Sequence, residues 1–314
     1  MIDSGPCGVA VLGGINQDLV ARVEGLPLPG QTLHARRLDI SAGGKGLNQA
    51  VAAARFGARV TMLGAVGDDA AGASLMAVMA QAGCATHSVS ILPDEATGQA
   101  FICLSEDGEN TIVVNAGANA SFGADALRDA FEGPVAVSLT QFEASPDAIH
   151  ELFSSGAAGL RILNAAPALT EHRALLAMAD ILVVNETELM TFASLAALSD
   201  DMVNIAIAAR SLLAFPSQEV VVTLGAKGCL LVSANDITQV PAIQVDVVDT
   251  IGAGDCFCCV FAAAVAEGMS RTAALRWATA AAALSVGRAG AAASSPMRHE
   301  VEAAMAADAL ADKS

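Results

Sequence analysis

The sequence predicts an α/β fold: a doubly wound, mostly parallel sheet with helices on both faces, carrying a small β-strand lid. Three observations predict it. Short apolar runs alternate along the chain with Ala-rich stretches of helical length, and that alternation implies a parallel sheet covered on both sides. Two segments, 17–40 and about 99–114, break the rhythm and leave no room for a crossover helix, so they supply the lid strands. The 314 residues are 54% hydrophobic and 16% charged, which is enough apolar surface for one large core. Residues 1–314 are therefore expected to form a single domain.

In chain order, strands are expected at 8–13, 60–66, 135–139, 160–163, 181–184, 220–224 and 229–233, each a short apolar run. Helices are expected between them at 47–56, 70–82, 124–131, 147–153 and 202–214, and then at 255–267, 271–286 and 297–309. Pro27, Pro29 and Gly30 punctuate the first lid segment before a polar–apolar alternation through 32–40. The second lid segment reads as two strands about a turn at 106–108.

Composition removes several function classes. The formal net charge is −17, and only three of the basic residues are lysines, Lys45, Lys227 and Lys313. Nucleic-acid surfaces need clustered positive charge, and anionic membranes attract polybasic segments. Neither is expected as a partner. The charge-free run 256–266 is too short to span a bilayer. The seven cysteines (Cys7, Cys84, Cys103, Cys229, Cys256, Cys258 and Cys259) are odd in number and irregular in spacing, and the histidines are not near the cluster at 256–259. A zinc site is not expected. The opening segment has an early Asp and no basic run, so it does not read as a signal peptide. A reducing cytoplasm fits these features.

The chemistry is concentrated in glycine-rich turns. In Asp249-Thr250-Ile251-Gly252-Ala253-Gly254-Asp255, small residues precede a helix. Backbone amides there, with the positive end of the helix dipole, form an anion hole from Gly252, Ala253 and Gly254. A carboxylate at that spot, Asp255, can take a proton from an alcohol, although Asp is also a favoured helix cap. Ser41-Ala42-Gly43-Gly44-Lys45-Gly46-Leu47-Asn48 opens another helix. Its glycines permit close ligand approach, and Lys45 and Asn48 add donors suited to hydroxyls; the bland alternative is a tight turn with a solvated lysine. Asn16 and Asp18 follow the first strand, where open α/β sheets bind ligands. They suit adjacent sugar hydroxyls or, alternatively, an Asx-turn. Three weaker signals are Asn185-Glu186-Thr187-Glu188 at a helix start, Thr223-Leu224-Gly225-Ala226-Lys227-Gly228 between two strands, and Glu143 after a strand.

Gly-Gly-Lys-Gly-Leu-Asn (43–48) followed by Asp-Thr-Ile-Gly-Ala-Gly-Asp (249–255) resembles the paired signatures of the PfkB, or ribokinase-like, carbohydrate kinases. The resemblance runs from Val11 to about Pro296 and is closest to the ribokinase branch. Segments 14–18, 43–53, 115–119 and 185–188 carry that finer likeness. It implies a ribokinase-like fold, often dimeric through the lid, that phosphorylates a small sugar such as ribose with ATP. Asp255 would be the general base beside the Gly252–Ala253–Gly254 hole. Asn16, Asp18, Gly44, Lys45, Asn48 and Glu143 would contact the sugar. Asn185, Thr223, Gly225 and Gly228 would contact ATP, and Glu188 would position hydrated Mg²⁺. A K⁺ site would draw on Asp249, Ile251, Ser285, Arg288, Gly290 and Ser294, several through carbonyls, and carbonyl dipoles can replace the K⁺ hydration shell.

The sequence departs from the family pattern at Cys256, where relatives often carry Thr or Ser, and at Thr279, where ribokinases place His beside the adenine. With one Trp and no Tyr, aromatic contacts to the base are expected to be scarce. Cys256, at a helix N-terminus, is a candidate reactive thiol, with an inert core cysteine as the alternative. Other substrates remain open: a nucleoside, fructose, a deoxy-sugar acid, or a sugar phosphate held by Arg36 and Arg37. So does a catalytically silent sugar-binding protein on the same fold.

Overall fold

The computed structural model describes residues 8–311; Cys7 and the rest of the opening segment lie outside the described residues. Strand β1 (Val9–Leu12) is apolar and buried at every position, as a strand covered on both faces must be. It pairs in parallel with β4 (Val60–Gly67) on one side and β8 (Val137–Gln141) on the other. Beyond β8 lie β9 (Leu160–Asn164), β10 (Ile181–Asn185) and β11 (Glu219–Thr223), all parallel. The antiparallel strands β12 (Cys229–Val232) and β13 (Ile237–Val240) close that edge, and β5 (Val89–Leu92) closes the other. The result is a nine-stranded sheet in the order β13-β12-β11-β10-β9-β8-β1-β4-β5.

Alternating side chains divide the core into two layers. Val9, Val11, Leu139, Ile162 and Val183 pack with Leu47 and Phe56 of α1 (Lys45–Phe56), Phe257 and Phe261 of α8 (Ala253–Ala266), and Leu275 of α9 (Arg271–Val286). Leu75 of α2 (Ala70–Gln81) and Val301 of α10 (Arg298–Ala311) join this layer. Ala10, Leu12, Leu182 and Val222 face the other layer. There they meet α3 (Ala118–Ser121), α4 (Ala124–Ala130), α5 (Pro146–Ser154), α6 (Glu186–Ala193) and α7 (Met202–Arg210), through residues such as Leu127, Leu152, Leu189 and Ile205. Burying a side chain such as Phe261 contributes about 1.5–3 kcal/mol.

The second sheet has four strands in the order β3-β2-β6-β7: β3 (Arg37–Gly43), β2 (Asn16–Arg22), β6 (Gly98–Leu104) and β7 (Asn110–Asn115). It follows β1 after only a few residues, so its base sits over the C-terminal ends of the main strands. The chain runs from β1 toward β4 and β5, then returns to β8. The strand order therefore reverses at β1 and β8, where a doubly wound sheet opens its binding crevice.

The departures from expectation lie at edges. Strands β5 and β13 are short and partly exposed, so their sequences carry no long apolar run. The alternation through 32–40 pairs only from Arg37 onward. Helix α7 stops at Arg210 because Gln218 Oε1 takes the Ala214 N–H at 2.7 Å, just ahead of the break at Pro216. Residues 170–178, given no element above, form a 3-10 helix. Among the described residues, no helix is long and apolar enough to cross a membrane.

Candidate active site

Two glycine turns cross at the base of the site. A Cβ on Gly46 would lie 2.4 Å from the Gly13 carbonyl carbon, and one on Gly44 would lie 2.6 Å from Gly14 O. Gly44 also has φ +85°, a conformation that favours glycine. Leu47 N–H then donates to Gly14 O at 3.1 Å. This crossing pins the first turn of α1 against the end of β1, so Lys45, Asn48 and Gln49 all face the crevice floor.

Sugar-side candidates gather around it. Asn119 Nδ2 donates to Asn16 Oδ1 at 2.8 Å, which leaves the Asn16 amide N–H groups to donate elsewhere. The Asp18 carboxylate lies across Gly43, where a Cβ would meet Oδ2 at 2.1 Å. Burial and then the nearby Asp255 push the Asp18 carboxyl up to about 6. Glu143 Oε2 accepts the Lys45 backbone N–H at 2.8 Å, and burial raises its carboxyl as well.

Asp255 occupies the third position of α8, after Gly252 at φ +77°. The helix cap is Gly252, with no side-chain capping bond, so Asp255 does not hold the cap position. Instead Asn48 Nδ2 donates to Oδ2 at 3.2 Å and Gln49 Nε2 donates to Oδ1 at 2.9 Å. The capping alternative is thereby overturned: the carboxylate turns away from its own helix toward the crevice. Ala253 N–H goes to Thr250 O at 3.3 Å. A helix cannot satisfy its first amides internally, and Gly254 and Asp255 line the adjoining cavity.

That cavity, about 220 Å³, is bounded by Lys45, Asn185, Glu188, Thr250, Gly252 and Asp255. Lys45, expected on the sugar, also borders this cavity. Its ammonium is held above its ordinary range first by Asp255, then by Glu143 and Glu188. Asn185 and Glu188 form a capping box on α6, with Glu188 Oε2 accepting the Asn185 N–H at 2.8 Å and Asn185 Oδ1 the Glu188 N–H at 2.8 Å. The helix-start reading and the cavity-lining reading both hold for this pair. Burial raises the Glu188 carboxyl.

A second cavity of about 380 Å³ continues outward along Thr223, Gly225, Gly228, Ile243, Phe257 and Thr279. Phe257 supplies an aromatic ring that composition alone did not place there. Trp277 lies elsewhere, edge-on to Phe56 with ring centroids 5.3 Å apart. Lys227 pairs with Asp200 at 2.6 Å on the surface, the solvated role a turn lysine commonly has.

Asp249 joins two loops beside the cavity. Its Oδ1 accepts the Ile251 N–H and its Oδ2 the Gly290 N–H, each at 2.9 Å. Arg288 turns its guanidinium to Glu300 at 2.6 Å, so only its backbone is free for the loop interior. Ser285 and Ser294 are buried, and their hydroxyls donate to Ala282 O and Ala291 O, which leaves oxygen lone pairs as acceptors. Arg55 braces the same loop from α1, donating to the carbonyls of Ala292, Ala293 and Ser295 at 2.9–3.1 Å.

The profile of the family described as pfkB family carbohydrate kinase matches residues 8–298. The chain belongs to that family. It is 36% identical over 299 residues to the ribokinase of Haemophilus influenzae, covering 93% of this chain and 96% of the relative. It is 34% identical over 259 residues to the deoxyribokinase of Salmonella typhi, covering 81% and 84%. The structure of Arabidopsis thaliana ribokinase complexed with ribose and ATP superposes with a TM-score of 0.86 at 30% identity, covering 96% of this chain and 99% of that one. The pfkB-family fold expected from the two glycine signatures is the fold observed.

In this pfkB-family chain the burial of Cys256 favours the inert core alternative over a reactive thiol. Cys256 is 1% exposed and packed into the core layer of α8. Cys258, one turn along the helix from Asp255, is the cysteine that lines the cavity, and burial drives its thiol well above the usual range. Arg36 pairs with Glu106 and Glu24, and Arg37 with Asp39, all on the exposed edge of the small sheet. Sequence reasoning gave Gln49, Asn119 and Asn164 no role, and noted Gln141 only as the start of the weak Gln141-Phe142-Glu143 signal. The available signal was a polar residue ending an apolar strand, as in Val-Ser-Leu-Thr-Gln (137–141) and Leu-Arg-Ile-Leu-Asn (160–164).

Proposed function

We propose that this pfkB-family kinase transfers the γ-phosphoryl group of ATP to ribose, giving ribose 5-phosphate, with Asp255 as general base. The observation that carries the reading is the position of Asp255. It stands between the hydroxyl-binding group of Asn16, Asp18, Asn48 and Glu143 and a phosphate-sized cavity opening onto a longer, mainly apolar one. Asn48 Oδ1 is buried with no donor, an acceptor suited to a sugar hydroxyl. Relatives named ribokinase, and one described with ribose and ATP, support the substrate pair.

The transfer follows from this arrangement. The sugar hydroxyl oxygen forms a bond to the γ-phosphorus while the bond to the β,γ-bridging oxygen breaks, and the hydroxyl proton passes to Asp255. Amides of the α8 first turn and the Lys45 ammonium face the charge that spreads over the γ-phosphoryl oxygens. Gly44 leaves room for the sugar, and Asn185, Thr223, Gly225 and Gly228 border the nucleotide. The small sheet acts as a lid that keeps water from the phosphoryl group.

Two cations fit the residues present. Asp255, Glu143 and Glu188 face a single ammonium, with Asp18 close to Asp255 and Glu143, so a triphosphate needs added positive charge here. Glu188 would hold hydrated Mg²⁺ through water, with the nucleotide's own phosphates as the remaining ligands. Asp249, with the oxygens of Ile251, Ser285, Arg288, Gly290 and Ser294, offers the carbonyl-rich set that suits K⁺, which would stiffen the loop behind the anion hole.

Two further assignments complete the reading. A second copy of the chain covers the outer face of the lid, where Ile40, Leu19, Phe101 and Val113 stand in register on the side opposite Asn16 and Asp18. The six described cysteines are all free, which supports the reading of a reducing cytoplasm. A specific second substrate reading is 2-deoxyribose, favoured by the deoxyribokinase relative. A sugar phosphate is disfavoured because Arg36 and Arg37 are taken up on the surface. The test is ATP turnover on ribose, 2-deoxyribose, fructose and adenosine. Ribose should give the highest kcat/KM; equal or better 2-deoxyribose turnover would move the assignment to the deoxy sugar.

A further inference from the structure

Asp255 is held from behind by amides that the transfer does not consume. Gln49 on α1 is fully buried, and its Nε2 donates to Asp255 Oδ1 at 2.9 Å and to Asn164 Oδ1 at 3.2 Å. Its carbonyl oxygen accepts from Gln141 Nε2 at 2.6 Å. Gln141, at the end of β8, is also fully buried, and its own Oε1 has no donor.

A buried oxygen without a donor is unfavourable, and turning the amide over is the usual remedy. Here that remedy fails. A turned Gln141 would set its oxygen against Gln49 Oε1. Turning Gln49 as well would set its oxygen against Asp255 Oδ1 and Asn164 Oδ1, and an ionised carboxylate has no proton to give. The Asn164 amide nitrogen is already directed to Val183 O at 3.4 Å. One orientation of the whole set remains, and in it Gln49 donates to Asp255. The fold keeps space for the stranded oxygen: a Cβ on Gly13 would lie 2.1 Å from Gln141 Oε1.

We propose that Gln49 is a positioning residue for phosphoryl transfer, fixing Asp255 so that Oδ1 stays a hydrogen-bond acceptor and Oδ2 takes the proton, and that Gln141 holds Gln49 in its donating orientation. The proposal rests on Asp255 being the general base. Oδ2 has the longer bond, from Asn48 at 3.2 Å on the sugar side, and is the freer oxygen. A neutral amide suits the task, because it orients the carboxylate without the positive charge that would weaken it as a base.

Activity and stability should then separate, which a merely structural role would not produce. The experiment is steady-state kinetics and thermal melting of Gln49→Met, Gln141→Met, Asp255→Asn and the Gln49→Met/Asp255→Asn double variant. The substrates are ATP and ribose, or the fastest sugar of the panel above. Gln49→Met should lose roughly 10- to 100-fold in kcat, the scale of a misplaced reacting group, with KM for both substrates near wild type. Gln141→Met removes one stranded oxygen and strands Gln49 Oε1 in its place, so its Tm should stay near wild type while its kcat falls. In the Asp255→Asn background, Gln49→Met should cost nothing further. Unchanged kcat in Gln49→Met, or losses that multiply in the double variant, overturn the proposal. So does wild-type kcat in Gln141→Met, which also decides the matter if Gln49→Met does not fold. Near-normal turnover of Asp255→Asn instead removes the general-base reading itself.

Discussion

Asn48 Nδ2 donates to Asp255 Oδ2 at 3.2 Å, while Asn48 Oδ1, buried beside it, has no donor. One side chain thus touches the proposed base with its nitrogen and offers its oxygen to a substrate hydroxyl, which sets the distance between the two. Asp255→Asn keeps this shape and removes the base. It should lower kcat by about 10²- to 10⁴-fold, with ATP and sugar still binding by calorimetry. Turnover close to wild type would take Asp255 out of the mechanism.

The Asp18 carboxyl, pushed up to about 6 by burial and by Asp255, gives sugar binding a pH dependence. Ionised Asp18 accepts from two hydroxyls, and protonated Asp18 loses that capacity, so KM for the sugar should rise as pH falls through about 6. Stability runs the other way. A carboxyl whose folded value lies above its unfolded value of 3.8 destabilises the fold when ionised, so that contribution to stability falls as pH rises from about 4 to about 6. Asp18→Asn should therefore raise Tm at pH 7 but not at pH 4, and flatten the KM profile. A wild-type KM that is constant from pH 5 to 8 would contradict this.

The bonds from Asp249 to Ile251 and Gly290 put the proposed K⁺ site directly behind the α8 turn. Replacing K⁺ with Na⁺ at constant ionic strength should lower kcat, because the smaller ion fits a carbonyl-rich ring less well. Asp249→Asn should abolish the difference. Equal rates in the two salts would remove the cation from the account.

The register of Ile40, Leu19, Phe101 and Val113 predicts self-association. Ile40 and Val113 are about three-fifths exposed, and an apolar patch of this kind marks an interaction surface. Phe101→Asp should shift the protein from dimer to monomer in sedimentation velocity. A wild-type monomer at micromolar concentration would rule the lid interface out.

The parallel strands and both glycine signatures were legible because each is written locally: an apolar run, or small residues ahead of a helix. Strands β5 and β13 were not, since an edge strand exposes half its residues and loses the apolar run. The amides behind Asp255 were invisible for a different reason. Gln49 is 115 residues from Asn164 and 206 from Asp255 along the chain, and a lone Gln within a helix or at a strand end looks like a surface residue until the fold closes. Cys256 stayed undecided between a reactive thiol and a core cysteine because sequence position in the first turn of a helix does not say which face of α8 meets the sheet.

The crossing of Gly13 and Gly46 makes the two sequence signatures near the start of the chain halves of one object. Neither half can be varied alone, since a methyl group on either strikes the other backbone or its neighbours, and no second-site change can open a gap between two main chains that already touch. Mutational drift is thereby confined to the side chains standing around the crossing. A search for altered sugar preference should randomise Asn16, Asp18, Asn48 and Glu143 and leave the glycines untouched, because the glycines define where the floor is and the four polar residues define what stands on it.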